Sequence, residues 1–252
     1  MRRRKFYRIG AMKEKQPNPE LLLKKLNFSY PLIGFYDAPD SKSFEPIVTP
    51  GKRGCVFDSF KDWEKGKTLL ITKDNYGCGG AGRSLCGIDT REREDFISFL
   101  VDGEGLKASH ELMEKWIDSR RLKKSVHPYI LIGPLKPDQY EYIRSVIFFV
   151  NPDQLAILAI GAQYNSSPSD PPPVIAPFGS GCSQLISFDN LNIPQAAIGT
   201  TDIAMRNFIP PDILSFAVTK PMFKQLCELD EKSFLFKPFL TNLKKARGLP
   251  DL

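Results

Sequence analysis

The sequence predicts an α/β or α+β fold: a mixed sheet flanked by helices, with an echo between two halves that share a crevice. Three observations carry this expectation. Apolar runs of strand length, at residues 32–36, 68–72, 129–132, 146–150, 196–199 and 213–218, alternate with amphipathic stretches of helical length. Glycine-rich bends adjoin several of these strands, and in open sheets of this class ligands gather at strand ends. Finally, Gly54-Cys55, a helix, a strand and a turn with Arg83 are echoed by Gly181-Cys182, a helix, a strand and a turn with Arg206.

With 252 residues, of which 42% are apolar, the chain can bury a core as one large domain. No apolar run approaches the ~20 residues that cross a bilayer, so the expectation is a soluble cytoplasmic protein with no membrane partner. The start, Met1-Arg2-Arg3-Arg4-Lys5, resembles the head of an export signal, yet no apolar stretch of about 7–15 residues follows it. Five cysteines without a C-x-x-C pair fit a reducing compartment. Of the formal charge of +6, five positive charges (Arg2, Arg3, Arg4, Lys5 and Arg8) precede Met12, so the remainder is close to neutral. The basic character is thus an arm, residues 1–17, and no aromatic-interleaved basic patch accompanies it, which argues against nucleic acid as a partner. Residues 18–252 read as one α/β domain, with the two halves at 18–126 and 127–252.

The elements follow in order. Asn18-Pro19-Glu20 opens a short helix with Leu22, Leu23 and Leu26 at helical spacing. Residues 32–36 form a buried strand, and 37–52 a polar surface loop. Gly54-Cys55 leads into a helix with Val56, Phe57, Phe60 and Trp63 on one face, closed by Gly66. A thiol in the first turn of a helix feels the positive end of its dipole, which makes Cys55 a candidate nucleophile or ligand. After the strand at 68–72 come a glycine-cysteine loop and helices at 90–100 and 109–122. The basic run at 120–124 suits the C-terminal turn of the second helix. The second half has strands at 129–132 and 146–150, a helix capped by Asn151-Pro152-Asp153-Gln154, and a proline-rich loop at 166–173. It continues with a strand from Val174, the Gly181-Cys182 entry, strands at 196–199 and 213–218, a helix from Pro221 and an amphipathic helical tail at 234–247.

The most informative stretch is Asn75-Tyr76-Gly77-Cys78-Gly79-Gly80-Ala81-Gly82-Arg83-Ser84-Leu85-Cys86-Gly87. Glycine lets a ligand approach the main chain but costs ordering entropy, so such a cluster calls for a reason. The loop lacks the G-K-[ST] ending of a phosphate loop, and no G-x-G-x-x-G falls in register. His110 and His127 adjoin no nucleophile motif, which leaves a protease-like triad without support. Candidate residues for a cofactor or anion are Cys55, Cys78, Gly79, Gly80, Arg83, Cys182 and Arg206. A metal or iron–sulfur centre would draw on Cys55, Cys78, Cys86 and Cys182; the Cys78 to Cys86 spacing is too wide for a zinc knuckle, so the fold must bring in a third thiol.

Taken with Gly133-Pro134-Leu135, the helix start at Asn151, and Arg206 before the strand at 213–218, these motifs resemble a prokaryotic family. It is catalogued as the domain of unknown function numbered one hundred and sixty-nine. The resemblance runs from about Asn18 to Lys245 and implies kinship without a settled activity. Three readings follow: a cofactor or metal protein, redox-active or not, built on the thiols; a non-catalytic module for a small anion; or structural cysteines with function elsewhere.

Overall fold

The computed structural model describes residues 17–50, 54–75, 93–119, 124–186, 188 and 191–249. Its centre is a mixed eight-stranded sheet, the α/β architecture expected from the sequence. The strands are β1 (Ile33–Tyr36), β2 (Ile47–Val48), β3 (Thr68–Thr72), β4 (Tyr129–Pro134), β5 (Ile143–Val150), β6 (Val174–Ile175), β7 (Ala196–Gly199) and β8 (Leu214–Val218). They lie in the order β2-β3-β4-β1-β5-β8-β7-β6. The two outermost pairs, β2 with β3 and β6 with β7, are parallel; every other neighbouring pair is antiparallel.

The central strand β5 explains why the sheet holds together. All its residues are buried, because successive side chains enter opposite cores: Val146, Phe148 and Val150 on one side, Ile147 and Phe149 on the other. On the Phe148 side lie α1 (Glu20–Leu26), α5 (Pro152–Gln163), α7 (Lys220–Cys227) and α8 (Pro238–Ala246). On the Phe149 side lie α2 (Phe60–Glu64) and α6 (Gly181–Gln184), each entered from a glycine-cysteine pair. A third, smaller core of Phe96, Ile97, Leu100 and Met113 joins α3 (Arg93–Ser98), a π-helical turn (Phe99–Gly103) and α4 (His110–Ser119).

Local chemistry accounts for the ends of these elements. Asn151 Oδ1 accepts from Gln154 N at 2.9 Å and Gln154 Oε1 from Asn151 N at 3.0 Å, the capping box expected at the start of α5. Gln154 Nε2 also donates to the carbonyls of Leu26 and Asn27 at 3.1 Å, so one side chain closes the start of α5 and the end of α1. Gly66 turns the chain out of α2 at φ +80.

Two expectations need correction. Residues 37–52 are not merely a surface loop: Phe44 is fully buried and β2 supplies the parallel partner of β3. A two-residue strand is too short to leave a periodic signal. The tail at 234–247 is not one helix, because Lys237-Pro238 divides a 3-10 turn, Phe234–Phe236, from α8.

Candidate functional site

The turn into α6 is tightly constrained. Gly181 is buried, and a Cβ there would stand 2.8 Å from Met205 Cγ and 2.9 Å from Phe57 Cε2, so only glycine fits. Cys182 follows in the first turn, nearly buried, its sulfur 3.6 Å from Ser180 Oγ. Gln184 braces the turn from behind, donating to Thr201 Oγ1 at 2.6 Å and Pro177 O at 3.1 Å while accepting from Thr201 N at 3.1 Å.

Thr200, at the end of β7, is fully buried and takes φ +59. A β-branched residue in the left-handed region costs of order 1–3 kcal/mol and persists only where its surroundings fix it. Here they do: Thr200 Oγ1 accepts from Ser215 N at 2.9 Å and donates to Gly199 O at 2.6 Å. The strain places Asp202 so that Oδ2 accepts from Gly181 N at 3.0 Å and Oδ1 from Ala204 N at 2.9 Å.

The other glycine-cysteine entry lies on the same side of the sheet. Cys55 is half-buried and caps a 3-10 turn, Val56–Ser59, that runs into α2, so the helix expected after Gly54 begins as a 3-10 turn. Phe57 is fully buried; it meets Trp63 edge-on at 6.2 Å and reaches across to Gly181. Thus the chain after Cys55 touches the chain before Cys182. Among the described residues, the buried Trp63 Nε1 in this aromatic cluster and the buried Ser215 Oγ beneath α6 find no hydrogen-bond partner.

A roof comes from the long connection between β3 and β4. Trp116 of α4 meets Phe178 edge-on, with ring centroids 5.0 Å apart, and Lys107 Nζ sits 3.9 Å over the same ring. Glu104 belongs to this roof; burial first, and then the Asp202 carboxylate, push its carboxyl group up from the ordinary range.

The remaining candidates separate. Arg206 donates to the carbonyls of Ile213 and Pro211 at 2.6 Å, Pro210 at 3.3 Å and Thr200 at 3.5 Å, so its guanidinium pins the β7–β8 connection. Cys78, Gly79, Gly80, Arg83 and Cys86 lie outside the described residues. Among the described residues, no group of three or more His, Cys, Asp or Glu is arranged to hold a metal ion. Cys227 stands apart on α7, its thiol pushed up to about 12 by burial and then by Glu228.

Sequence reasoning missed a buried charge cluster beyond the end of β1. Asp37 accepts from Val126 N at 2.9 Å, His127 N at 3.2 Å, His127 Nδ1 at 2.9 Å, Ser125 Oγ at 2.9 Å, and from Arg144 of β5. The available signal was Arg144 itself, the one charge in a wholly buried strand whose other residues are apolar except Ser145.

The family model for DUF169, described as an uncharacterised ArCR family, matches residues 22–229. The chain belongs to the DUF169 family. Comparison with curated proteins and with solved structures finds no match. No described helix of this DUF169 chain is long and apolar enough to cross a membrane.

Proposed function

We propose that this DUF169 chain binds a small cofactor or a thiolate-held metal centre against its glycine-cysteine turns. In this reading Cys55, which follows edge strand β2, and Cys182, which follows edge strand β6, would hold the same group, and Cys78 and Cys86 would come from the loop after β3. The observation that carries the reading is the meeting of the two turns on one face, where Phe57 lies against Gly181. Strain at Thr200, held where Asp202 meets the Gly181 amide, supports it.

The runner-up, a non-catalytic module for a small anion, has less support. The Arg206 guanidinium is engaged by carbonyls, and a carboxylate, Asp202, already takes the Gly181 amide. The test is metal analysis and an absorption spectrum of protein purified without oxygen, for the parent and for the C55S, C182S and C78S/C86S variants. Bound metal or a visible band, lost on serine substitution while circular dichroism is unchanged, is the expected result. A colourless, metal-free parent would overturn the reading, and a metabolite-induced thermal shift that survives thiol alkylation would favour the anion module.

A further inference from the structure

We infer that the chain is an internal duplication, and that its two glycine-cysteine turns are equivalent positions of one paired site beside a pseudo-two-fold axis. The duplication stands on strand register and sequence; the pairing of the turns into one site rests on the ligand-binding reading above.

The strand order is the first ground. Read from the edge inward, the first four strands run β2-β3-β4-β1, and from the other edge the last four run β6-β7-β8-β5. Each label differs by four, and the sense of every pairing matches: parallel at the edge, then antiparallel twice.

Register makes the test sharper. Val48 pairs with Leu69, Leu69 with Ile132, and Ile132 with Phe35. In the second run Ile175 pairs with Ala197, Ala197 with Ala217, and Ala217 with Ile147. Walking inward therefore equates Phe35 with Ile147, and two residues earlier Ile33 with Ser145, without using the contact between β1 and β5. A two-fold axis that keeps the faces matched then requires odd-numbered residues of β1 to face odd-numbered residues of β5 across the centre, as in Ile33 with Ile147 and Phe35 with Ser145. Those are the observed pairs, with Gly34 opposite Val146 on the axis. A slip of one residue would have broken the closure and exchanged the faces. The faces agree as well: Phe35 and Ile147 share one core, Tyr36 and Phe148 the other.

The sequence repeats in the same frame. Pro46-Ile47-Val48-Thr49-Pro50, three residues and Gly54-Cys55 match Pro173-Val174-Ile175-Ala176-Pro177, three residues and Gly181-Cys182, with no gap. Thr68 N donates to Pro46 O at 2.9 Å, and its counterpart Ala196 N donates to Pro173 O at 2.8 Å. Thr72-Lys73-Asp74 after β3 then corresponds to Thr200-Thr201-Asp202 after β7. The boundary between the copies falls between β4 and β5, rather than ahead of His127, because β4 lies between β3 and β1.

The copies have diverged at one place. Residues 73–128 join β3 to β4, whereas 200–213 join β7 to β8. The longer connection carries the α3–α4 roof, which covers Phe178 in the other copy. The roof of one copy lies over the Gly181-Cys182 turn of the other, and Phe57 of the first copy lies against Gly181; this crossing of the copies favours one group gripped by a thiol from each over two separate ligands.

Two measurements on the full chain decide the matter. First, residues 46–55 are replaced by the sequence of 173–182, an equal-length graft; the control places the same ten residues one position later, over 47–56. The graft should lower the thermal midpoint by no more than about 5 °C, and the control by several times that, because a one-residue slip turns each side chain to the wrong face. Equal damage from graft and control, or no damage from either, would overturn the duplication. Second, the metal or absorption signal proposed above is compared in C55S, C182S and the double variant. Complete loss in each single variant supports one paired site. Loss of half in each means two separate sites and refutes the pairing. A parent without any signal removes the ligand reading and the pairing together, while the graft still decides the duplication.

Discussion

Replacing Asp37 by Asn isolates the one buried ionic cluster in the described structure. Burial by itself would raise this carboxyl, but the Val126 amide, His127, Arg144 and Ser125 outweigh it and hold the group at about 2, below the ordinary 3.8. That depression corresponds to about 2 kcal/mol of stability at neutral pH, at 1.36 kcal/mol per pKa unit. The substitution also takes a carboxylate from Arg144, which is 4% exposed, and breaking a buried pair from one side costs about 3–5 kcal/mol. The expected loss for D37N is therefore about 3 kcal/mol at pH 7, measured by urea unfolding. The pH dependence fixes the cause. A carboxylate with a depressed folded-state pKa stabilises fully above its unfolded value and loses that contribution as pH falls through the folded one. The gap between parent and D37N should be complete above about pH 4 and shrink toward pH 2. A gap under about 0.5 kcal/mol at pH 7, or one that is the same at pH 2.5, would refute the reasoning. The double variant D37N/R144M should recover part of the loss, since a neutral pair leaves no buried charge to compensate.

Three further outcomes are expected. Gly133→Ala should destabilise by about 2 kcal/mol or more in urea unfolding, because the added Cβ would meet the backbone Cα of Thr68 at 2.8 Å; Gly66→Ala, at φ +80 in open space, should cost only about 1 kcal/mol. Thr219→Ala should cost about 1–2 kcal/mol in the same assay, because Thr219 Oγ1 caps α7 through Met222 N, accepts from Gln195 N at 3.1 Å and donates to Ile193 O at 2.7 Å; Thr219→Ser should restore most of it. Cys227 should resist iodoacetamide at pH 8 in the folded protein and react after denaturation, as peptide mass spectrometry would show, because burial pushes its thiol up to about 12. Rapid labelling of the native protein at Cys227 would contradict that account.

The parts of the fold legible in the sequence are those with local causes. The capping box at Asn151, the apolar run of β5 and the glycine after α2 each depend on residues within a few positions of one another. What escaped depends on partners far along the chain. Asp37 looks like one more polar residue in a loop until the sheet brings Arg144, 107 residues away, to its side. Arg206 reads as an anion ligand because it follows a strand and a turn. Its partners are the carbonyls of Ile213, Pro211 and Pro210, which the bend between β7 and β8 turns toward one guanidinium, and only the folded connection shows that demand. The echo of Gly54-Cys55 in Gly181-Cys182 was visible as spacing, but spacing alone could not place the boundary, because β4 crosses back to pair with β1.

The charges around α6 bear on which kind of group suits the site. Asp202 faces the Gly181 amide, and Glu104 in the roof is pushed toward its neutral form by burial and by that same carboxylate. An incoming anion would have to displace Asp202 from the amide and accept a second acid nearby, with Arg206 held elsewhere by carbonyls. A cationic group meets no such opposition; it would offset the Asp202 repulsion that adds to burial in raising Glu104, and it would leave the Gln184 brace behind the turn undisturbed. The arrangement thus weighs against phosphate or carboxylate at this turn, and within the proposed reading it leaves a cationic group as the better fit. The same physics gives the strain at Thr200 a reason, since a relaxed backbone there would carry Asp202 away from the amide that it now holds.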